Sequence, residues 1–282
     1  MRARQLELTL ETTDQKLSPA EGVDHLLRYE TSLWTAGQAH VAGVDEVGVG
    51  PLAGPVVSAA VVLPPWTHIE GVNDSKLLSA ETRERLSVEI RKVATGVGIG
   101  IASVEEIDEL NVYHAALLAM KRAVEALPHR PQHLLVDARA IRGTGIPQTS
   151  LTKGDRSSLS IAAASILAKT RRDDLMIELG RQYPEYGFAQ HKGYPTHDHQ
   201  KAIQRFGPST VHRRSFAFIE ELTGQFSELF YSLRDAISTA SSQASLWQIL
   251  HRYQSSRTLL SPAERRKLTL LFRRREKKLA DP

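Results

Sequence analysis

Four acidic residues stand at positions where a carboxylate suggests chemistry: Asp45, Glu46, Asp137 and Asp155. The first two follow a short apolar stretch, the third ends the apolar run HLLVD, and the fourth precedes a long apolar segment. Burying a carboxylate is costly unless a cation or hydrogen bonds offset its charge, and Mg²⁺ and Mn²⁺ prefer carboxylate oxygens. Two such ions can activate water for phosphodiester cleavage. The acids therefore predict a divalent-cation site; the alternative is solvated acids at strand ends and at a helix start.

The loop GVGPLAGP follows the first two acids. Residues 48–53 formally match the dinucleotide pattern G-x-G-x-x-G/A. Pro51 and Pro55 disfavour the helix that such a site requires, and Asp45 and Glu46 would repel a pyrophosphate. We therefore expect a loop that approaches a ligand closely and offers it backbone N–H groups.

A second segment, HKGYPTHDH, contains metal-ligating side chains: His191, His197, Asp198 and His199. A zinc site there lacks a convincing further set of ligands. We expect a surface loop that leads into a helix. Asp173 and Asp174 are interpreted as a solvated helix face.

Composition excludes several classes of protein. The chain has 282 residues, of which 41% are hydrophobic and 24% charged, and it contains no cysteine. This excludes a disulfide framework, a thiol nucleophile and a Cys-ligated metal, and it fits a reducing compartment. No apolar run is long enough to span a membrane, and the N-terminus lacks the apolar region of a secretory signal. We expect a cytoplasmic protein with no membrane association.

The basic charge is concentrated at the C-terminus. The chain has a net charge of +4, whereas residues 221–282 contain 11 Lys and Arg against 6 Asp and Glu, and the rest is almost neutral. A basic extension on a neutral body indicates DNA or another anionic partner. A solvated helix, or a helix whose Leu/Phe face binds a protein, are alternatives.

The elements that position these residues follow from apolar periodicity and breakers. Strands are predicted over 40–44, 56–63, 93–103, 133–137 and 150–152, and helices over 21–37, 104–127, 159–179 and 196–206. Three early strands with short links favour an antiparallel meander, and the later alternation favours parallel crossovers. The fold class is therefore α/β, a mixed sheet flanked by helices.

Both ends of the chain differ from this body. Residues 1–20 are polar, which predicts a flexible N-terminus. After residue 224 the Ser- and Gln-rich composition indicates a linker or a weakly ordered segment. Ser261 to Glu264 match a capping box that starts a basic helix.

Several segments resemble one known family, bacterial ribonuclease HII. GVDEVGVGPLAGPVVSAAVVLP, NDSKLLS, LLVDARA, LTKGDRSSLSIAAASILAKTRRD, HKGYPTHDH and GPSTVHRRSF occur in the family's order, over roughly residues 25–220. The resemblance implies a ribonuclease H-like catalytic domain over 21–224. It does not cover residues 225–282, which are predicted to form a basic, Ser- and Gln-containing extension with a helix. It also implies a metal-dependent endonuclease that cuts on the 5′ side of ribonucleotides, in RNA–DNA hybrids and in duplex DNA, and leaves 5′-phosphates.

The resemblance also implies residue roles. Asp45, Glu46 and Asp137 match the family's metal-binding acids, which would hold two Mg²⁺ or Mn²⁺ ions, and Asp155 matches its fourth catalytic acid. The positions that match substrate contacts are Gly48, Val49 and Gly50 at the ribose 2′-hydroxyl, Tyr194 on the neighbouring sugar, and Ser75 and Lys76 near the backbone.

One position departs from the family pattern: Val49 stands where the family usually has arginine. Loss of a charged phosphate contact predicts retained chemistry with weaker binding or looser discrimination at the DNA–RNA junction. An alternative is a nucleic-acid-binding protein of the same fold with impaired catalysis. A further alternative, the sister ribonuclease HIII, carries an extra N-terminal domain, whereas only 44 residues precede Asp45 here.

Overall fold

A five-stranded mixed sheet forms the centre of the computed structural model, which describes residues 25–72, 75, 78–223 and 226–280. The strands are β1 (Val41–Val47), β2 (Val56–Val62), β3 (Gly96–Ala102), β4 (His133–Asp137) and β5 (Gln148–Leu151), in the order β3-β2-β1-β4-β5. β1, β2 and β3 are antiparallel neighbours, whereas β4 pairs parallel with β1 and β5 parallel with β4. The predicted meander and parallel crossovers are therefore confirmed. The predicted flexible segment 1–20 lies outside the described residues.

Helices cover both faces of the sheet. In chain order they are α1 (Arg28–Thr35), α2 (Ala80–Val93), α3 (Val104–Leu110), α4 (Val112–Glu125), α5 (Leu159–Gln182), α6 (Phe188–His191), α7 (His197–Phe206), α8 (Ala217–Thr223), α9 (Glu228–Thr239), α10 (Gln243–Ser255) and α11 (Pro262–Ala280). Short 3₁₀ turns occur at Gly154–Arg156, Pro184–Tyr186 and Arg257–Leu259.

Two differences from the predicted helices have local causes. The sequence interpretation missed α2, which buries few apolar side chains and begins where the Ser79 side chain accepts from the Thr82 N–H. The single helix predicted over 104–127 is divided at Asn111, whose φ of 70° ends α3 and whose side chain caps α4. Asn tolerates this left-handed region better than most residues.

The long helix α5 lies directly on β1. A Cβ atom at Gly43 would lie 2.1 Å from the backbone carbon of Ser160, so only glycine permits this approach. β1 also extends past the predicted end at residue 44 and includes Asp45 and Glu46. The side chain of Asp45 therefore starts from a straight strand that packs against α5.

Residues 226–280, called here the C-terminal helical unit, form a hydrophobic cluster of their own. Its buried members include Phe230, Leu233, Ile237, Leu246, Tyr253, Leu268 and Phe272. The predicted linker was wrong, because α9 and α10 place their few large apolar side chains on one face each. The predicted capping box at Ser261 is confirmed, since Glu264 Oε2 accepts from the Ser261 N–H at 2.6 Å.

None of the helices in the described ranges combines the length and the apolar character that a bilayer crossing requires.

Candidate active site

Three carboxylates converge at the ends of two neighbouring strands. Parallel pairing of β1 with β4 aligns Val44 with Val136, so the next residues, Asp45 and Asp137, lie at the same edge of the sheet. Oxygen atoms of Asp45, Glu46 and Asp137 all lie within 4.8 Å of one another. The Glu46 N–H donates to Asp45 Oδ1 at 2.7 Å, which turns the Asp45 side chain along its own strand.

The surroundings of Asp45 disfavour its charged form. Burial raises its pKa well above the usual value, and the negative charges of Glu46 and Asp137 raise it further. Hydrogen bonds from the Ser165 hydroxyl and the Glu46 N–H act in the opposite direction. A divalent cation between these oxygens would remove the repulsion, so the donor set fits Mg²⁺ or Mn²⁺.

Asp45 is hydrogen-bonded to Ser165, which in turn contacts Ser75. Ser165 on α5, which the sequence interpretation did not single out, also lies 2.8 Å from the Ser75 hydroxyl oxygen. Ser75 is only 3% exposed, so its hydroxyl supports Ser165 instead of facing solvent. Lys76, the other predicted backbone contact, lies outside the described residues.

The backbone carbonyls of Ser75 and Leu78 are bound by Arg83 of α2, which belongs to a charge network with α5. Arg83 donates to the carbonyls of Ser75 (3.2 Å) and Leu78 (2.6 Å) and pairs with Asp173 at 3.4 Å. Asp173 also binds Lys169 at 2.6 Å, and its side chain is only 16% exposed. The prediction of a solvated face at Asp173 was wrong, because α2 covers it.

Asp155 lies beside the cluster but is not one of its members. It is buried within the 3₁₀ turn Gly154–Arg156, and the Gly154 N–H donates to Asp137 Oδ1 at 2.7 Å. One turn therefore orients Asp137 and carries the fourth predicted acid.

Arg213 binds the backbone of residues 48–55, called here the glycine loop. Its guanidinium donates to the carbonyls of Gly48 (2.5 Å), Val49 (3.1 Å), Gly54 (2.9 Å) and Pro55 (3.3 Å). Gly48 has a φ of +97°, and a Cβ atom there would meet a neighbouring guanidinium at 2.3 Å. The loop backbone is therefore fixed by buried donors instead of by its own side chains.

That neighbouring guanidinium belongs to Arg172 on α5, which donates to the carbonyls of Ala53 (3.2 Å), Pro55 (3.1 Å) and Lys192 (3.1 Å). Arg172 and Arg213 are both 0% exposed, and neither has an ion-pair partner in the part of the chain that the structure describes. Burial and the charge of Arg172 lower the pKa of Arg213 to about 9, so it stays a cation at neutral pH. The sequence interpretation missed both arginines; their only signal was the repeated RR within two of the resembling segments.

Tyr194 adjoins the glycine loop, as its predicted role requires. The side chain is 40% exposed, and a Cβ atom at Gly50 would lie 3.7 Å from its ring. The Leu52 N–H donates to the Gly193 carbonyl at 2.8 Å, which ties the loop to the segment that carries the tyrosine.

Two buried histidines lie under Tyr194. His199 Nδ1 is 2.8 Å from the Tyr194 carbonyl, and its Nε2 is 3.1 Å from His212 Nε2. Burial lowers the pKa of His199 to about 4 and that of His212 to about 3, so both are neutral at pH 7. The surface-loop prediction was wrong for His199, which is 0% exposed.

His197 and Asp198, by contrast, are exposed as predicted. Among the described residues, the three-carboxylate cluster is the only group with the geometry of a metal site. The zinc alternative for the histidine-rich segment therefore finds no support in these ranges.

The chain is similar in sequence to known proteins. A sequence model of the family described as ribonuclease HII matches residues 42–219. The chain is 54% identical over 213 residues to the ribonuclease HII of Myxococcus xanthus, an alignment that covers 74% of this chain and 73% of that protein. It is 53% identical over 199 residues to the ribonuclease HII of Geobacillus kaustophilus, with 71% and 76% covered.

A solved structure resembles the same part of the chain. The crystal structure of the ribonuclease H2 from Pyrococcus horikoshii superposes with a TM-score of 0.56 at 27% identity and covers 66% of this chain and 97% of that one. The expected ribonuclease H-like sheet is confirmed by this superposition. The family match ends at residue 219, before the C-terminal helical unit begins.

Proposed function

The chain belongs to the ribonuclease HII family and is a ribonuclease H-type hydrolase, and from that premise we propose a specific reaction. It hydrolyses the phosphodiester on the 5′ side of a ribonucleotide, in RNA–DNA hybrids and in duplex DNA with embedded ribonucleotides. The carrying observation is that Asp45, Glu46 and Asp137 converge beside a glycine loop that two buried arginines hold.

Asp45, Glu46 and Asp137 would hold the metal, and Asp155 would complete the set of catalytic acids. Two bound Mg²⁺ or Mn²⁺ ions would activate the attacking water and stabilise the leaving oxygen. The chain's own contribution is orientation: Ser165 and the Glu46 N–H fix Asp45, and the Gly154 N–H fixes Asp137. No histidine or cysteine nucleophile is required.

Substrate recognition is proposed for the loop of Gly48, Val49 and Gly50. Because Arg213 binds the carbonyls of Gly48 and Val49 from the protein side, the loop backbone is preset before substrate arrives. Preset donors at a ribose 2′-hydroxyl distinguish RNA from DNA. The half-exposed ring of Tyr194 would pack on the neighbouring sugar, and Lys76 would contact the backbone.

The proposed organisation follows from the same features. Residues 21–224 would form the catalytic domain, residues 225–282 an extension with DNA or protein contacts, and residues 1–20 a flexible terminus. A cytoplasmic location, expected from the cysteine-free composition, stays a prediction.

A second candidate is a nucleic-acid-binding protein of this fold with impaired catalysis. It is favoured by Val49, whose apolar side chain is exposed at the loop, and by the basic C-terminal helical unit. Under this alternative the carboxylate cluster would have lost its catalytic use.

The deciding experiment is a cleavage assay on three duplexes: one with a single ribonucleotide, one long RNA–DNA hybrid and one of DNA alone. Each is incubated with Mg²⁺, with Mn²⁺ or with a chelator, and the product ends are mapped. We expect metal-dependent cuts 5′ of the ribonucleotides, with 3′-hydroxyl and 5′-phosphate ends, and an intact all-DNA duplex. Tight binding without cuts under any metal condition would favour the second candidate.

A further inference from the structure

A cleft lies between the C-terminal helical unit and the catalytic part of the molecule. It has a volume of about 930 Å³, with α11 on one side and α8 and the α3–α4 junction on the other. Arg266 Nη1 donates to the Glu109 carbonyl at 2.6 Å, and Lys267 Nζ donates to Glu220 Oε2 at 2.7 Å. These two contacts link the walls at the base of the cleft.

Cations without acidic partners dominate this lining. Within the ranges 25–72, 75, 78–223 and 226–280, four of its arginines form no ion pair: Arg257, Arg265, Arg273 and Arg274. A fifth, Arg266, has a buried Nη2 atom with no hydrogen-bond partner in these ranges. Of the two acids in the lining, Glu220 is already bound to Lys267. The cleft therefore offers several N–H donors and an excess of positive charge to an anion.

Four of the cations of α11 share one face of the helix. Arg266, Arg273, Arg274 and Lys277 recur at intervals that a helix of 3.6 residues per turn places on one side. Leu268 is buried on the opposite side, in the core of the C-terminal helical unit. The 19 residues of α11 span about 28 Å, the length of about eight base pairs.

Two short chain segments connect the cleft with the candidate active site. Ser215 lines the cleft and follows by two residues Arg213, whose guanidinium holds the glycine loop. On the other wall, Val112 lines the cleft, and the next residue, Tyr113, packs under the Arg139 guanidinium at 4.2 Å. Arg139 follows the carboxylate of Asp137 by two residues. The two walls of the cleft therefore lie within a few residues of the glycine loop and of the carboxylate cluster, and Arg139 adds an exposed cation beside Tyr113.

We propose that this cleft binds the sugar–phosphate backbone of the duplex that flanks the scissile ribonucleotide. The proposal rests on the function proposed above and adds to it a binding surface outside the residues that the family match covers. Planar guanidinium groups recognise phosphate through paired N–H donors. A duplex bound at the carboxylates presents a continuous row of phosphates that can extend to the cleft. An acidic protein bound in the cleft would not also have to contact the catalytic edge.

The test compares two double variants of equal charge. Arg273→Gln/Arg274→Gln removes two exposed cations of the cleft, and the control Arg91→Gln/Lys92→Gln removes two exposed cations at the end of α2. The control site lies at the end of the sheet away from the carboxylates, where Gly96 of β3 pairs with Val62 of β2. Affinity for a duplex of about 30 base pairs is measured by fluorescence anisotropy in chelator, at about 50 to 200 mM salt.

Each lost phosphate contact lowers the slope of log affinity against log salt by about 0.9. Raising the salt from about 50 to about 200 mM should therefore weaken binding by a factor about tenfold smaller in the cleft variant than in the unmodified protein. The control should match the unmodified protein. Equal slopes in all three proteins would overturn the proposal, as would equal losses in both variants. Displacement of the duplex by poly-glutamate at equal charge concentration, in the unmodified protein only, would assign the cleft to acidic polypeptides instead.

Failure of the proposed reaction would appear elsewhere. Binding in chelator does not depend on cleavage, so a protein that never cuts still reports its salt slope. Absent cleavage with a variant-dependent slope would contradict the reaction alone, and cleavage with invariant slopes would contradict the cleft alone.

Discussion

The catalytic edge and the C-terminal helical unit use charge in opposite ways. At the catalytic edge the charges are buried and bound to the backbone: Asp45 is 7% exposed, and Arg172 and Arg213 are 0% exposed. In the C-terminal helical unit a cluster of apolar side chains is buried, and Arg273 and Arg274 of α11 are exposed. Buried, fully bonded charges fix geometry, whereas exposed charges attract a partner and are screened by salt. Changes at the first region should alter chemistry, and changes at the second should alter affinity.

The largest expected effect is at the carboxylate cluster. Asp45→Asn keeps the shape and removes a proposed ligand, so cleavage should fall by about 10³-fold or more. Duplex affinity, which the other region also supports, should persist. The control Asp198→Asn removes an acid that is 93% exposed and should cleave normally. Cleavage by Asp45→Asn at the normal rate would contradict the assigned role.

Thermal unfolding gives a second measurement on the same variant. The raised pKa of Asp45 means that its ionised form destabilises the metal-free fold at neutral pH. Asp45→Asn should therefore melt no lower than the unmodified protein in chelator and gain less from added Mg²⁺. A lower melting temperature in chelator would show that the carboxylates do not repel each other as described.

Next in size is the loss of a buried donor at Arg213. Arg213→Lys keeps the charge but cannot reach four carbonyls, so the glycine loop should shift and kcat should fall by about 100-fold. The free energy of unfolding should fall by about 2–3 kcal/mol. Arg205→Lys, at an exposed position on α7, is the matched control.

A purely structural role for Arg213 would change stability alone. The distinguishing measurement is the ratio of affinities for a ribonucleotide-containing duplex and for the same duplex in DNA, well below the melting temperature. We expect this ratio to fall in Arg213→Lys, because the loop that reads the 2′-hydroxyl is no longer fixed. An unchanged ratio and kcat with lowered stability would remove Arg213 from substrate recognition.

The two regions should differ in how acid changes their free energy of unfolding. His199 and His212 protonate near pH 6.5 when unfolded but only near pH 4 and pH 3 when folded. Between these values the unfolded chain binds more protons, so the free energy of unfolding of the catalytic part falls as the pH drops below about 6.5. The expected loss at about pH 5 is about 2 kcal/mol for each histidine.

The C-terminal helical unit should respond only to stronger acid. Burial of Glu264 is outweighed by hydrogen bonds from Ser227 and Ser261, which lower its pKa below 4.5. The contribution of Glu264 to the free energy of unfolding is therefore present above its unfolded pKa and is lost only as the pH falls below that pKa.

Urea unfolding of Trp247→Phe, which removes the exposed tryptophan of that unit, reports the catalytic part by fluorescence. His212→Gln should flatten its pH dependence; an unchanged dependence would contradict the assignment to these histidines.

What the sequence alone could predict differs between the regions for a physical reason. Asp45 and Asp137 were found because an acid after an apolar strand has no packing role, so the residue type itself is the signal. Arg172 and Arg213 were missed because arginine is ordinarily a surface residue, and only the fold shows that they bind loop carbonyls. Parallel crossovers were anticipated from alternating elements, but the pairing of β1 with β4 and the 4.8 Å convergence of three carboxylates required the structure.

The C-terminal helical unit shows the converse limit. Serine and glutamine between residues 238 and 248 suggested a linker, although Phe230, Leu233 and Ile237 already had helical spacing. Whether such sparse apolar positions form a core depends on a partner helix. The helix α11 was recognised from its capping box, its basic residues and its Leu/Phe face, but not as the partner of α9 and α10. Composition therefore describes surfaces well and three-helix packing poorly.

The smallest expected effect concerns Val49, the loop position that departs from the family pattern. Val49→Arg places a cation at a 39% exposed site on the loop and should raise kcat/KM on a single embedded ribonucleotide by about tenfold, the low end for a charged hydrogen bond. The same substitution is made in the Arg273→Gln/Arg274→Gln background. If the loop and the cleft bind different phosphates, the gains add and the fold-change is equal in both backgrounds. A smaller gain in one background would mean that both regions contact the same stretch of backbone. No gain in either background would mean that a cation at position 49 makes no contact with the substrate.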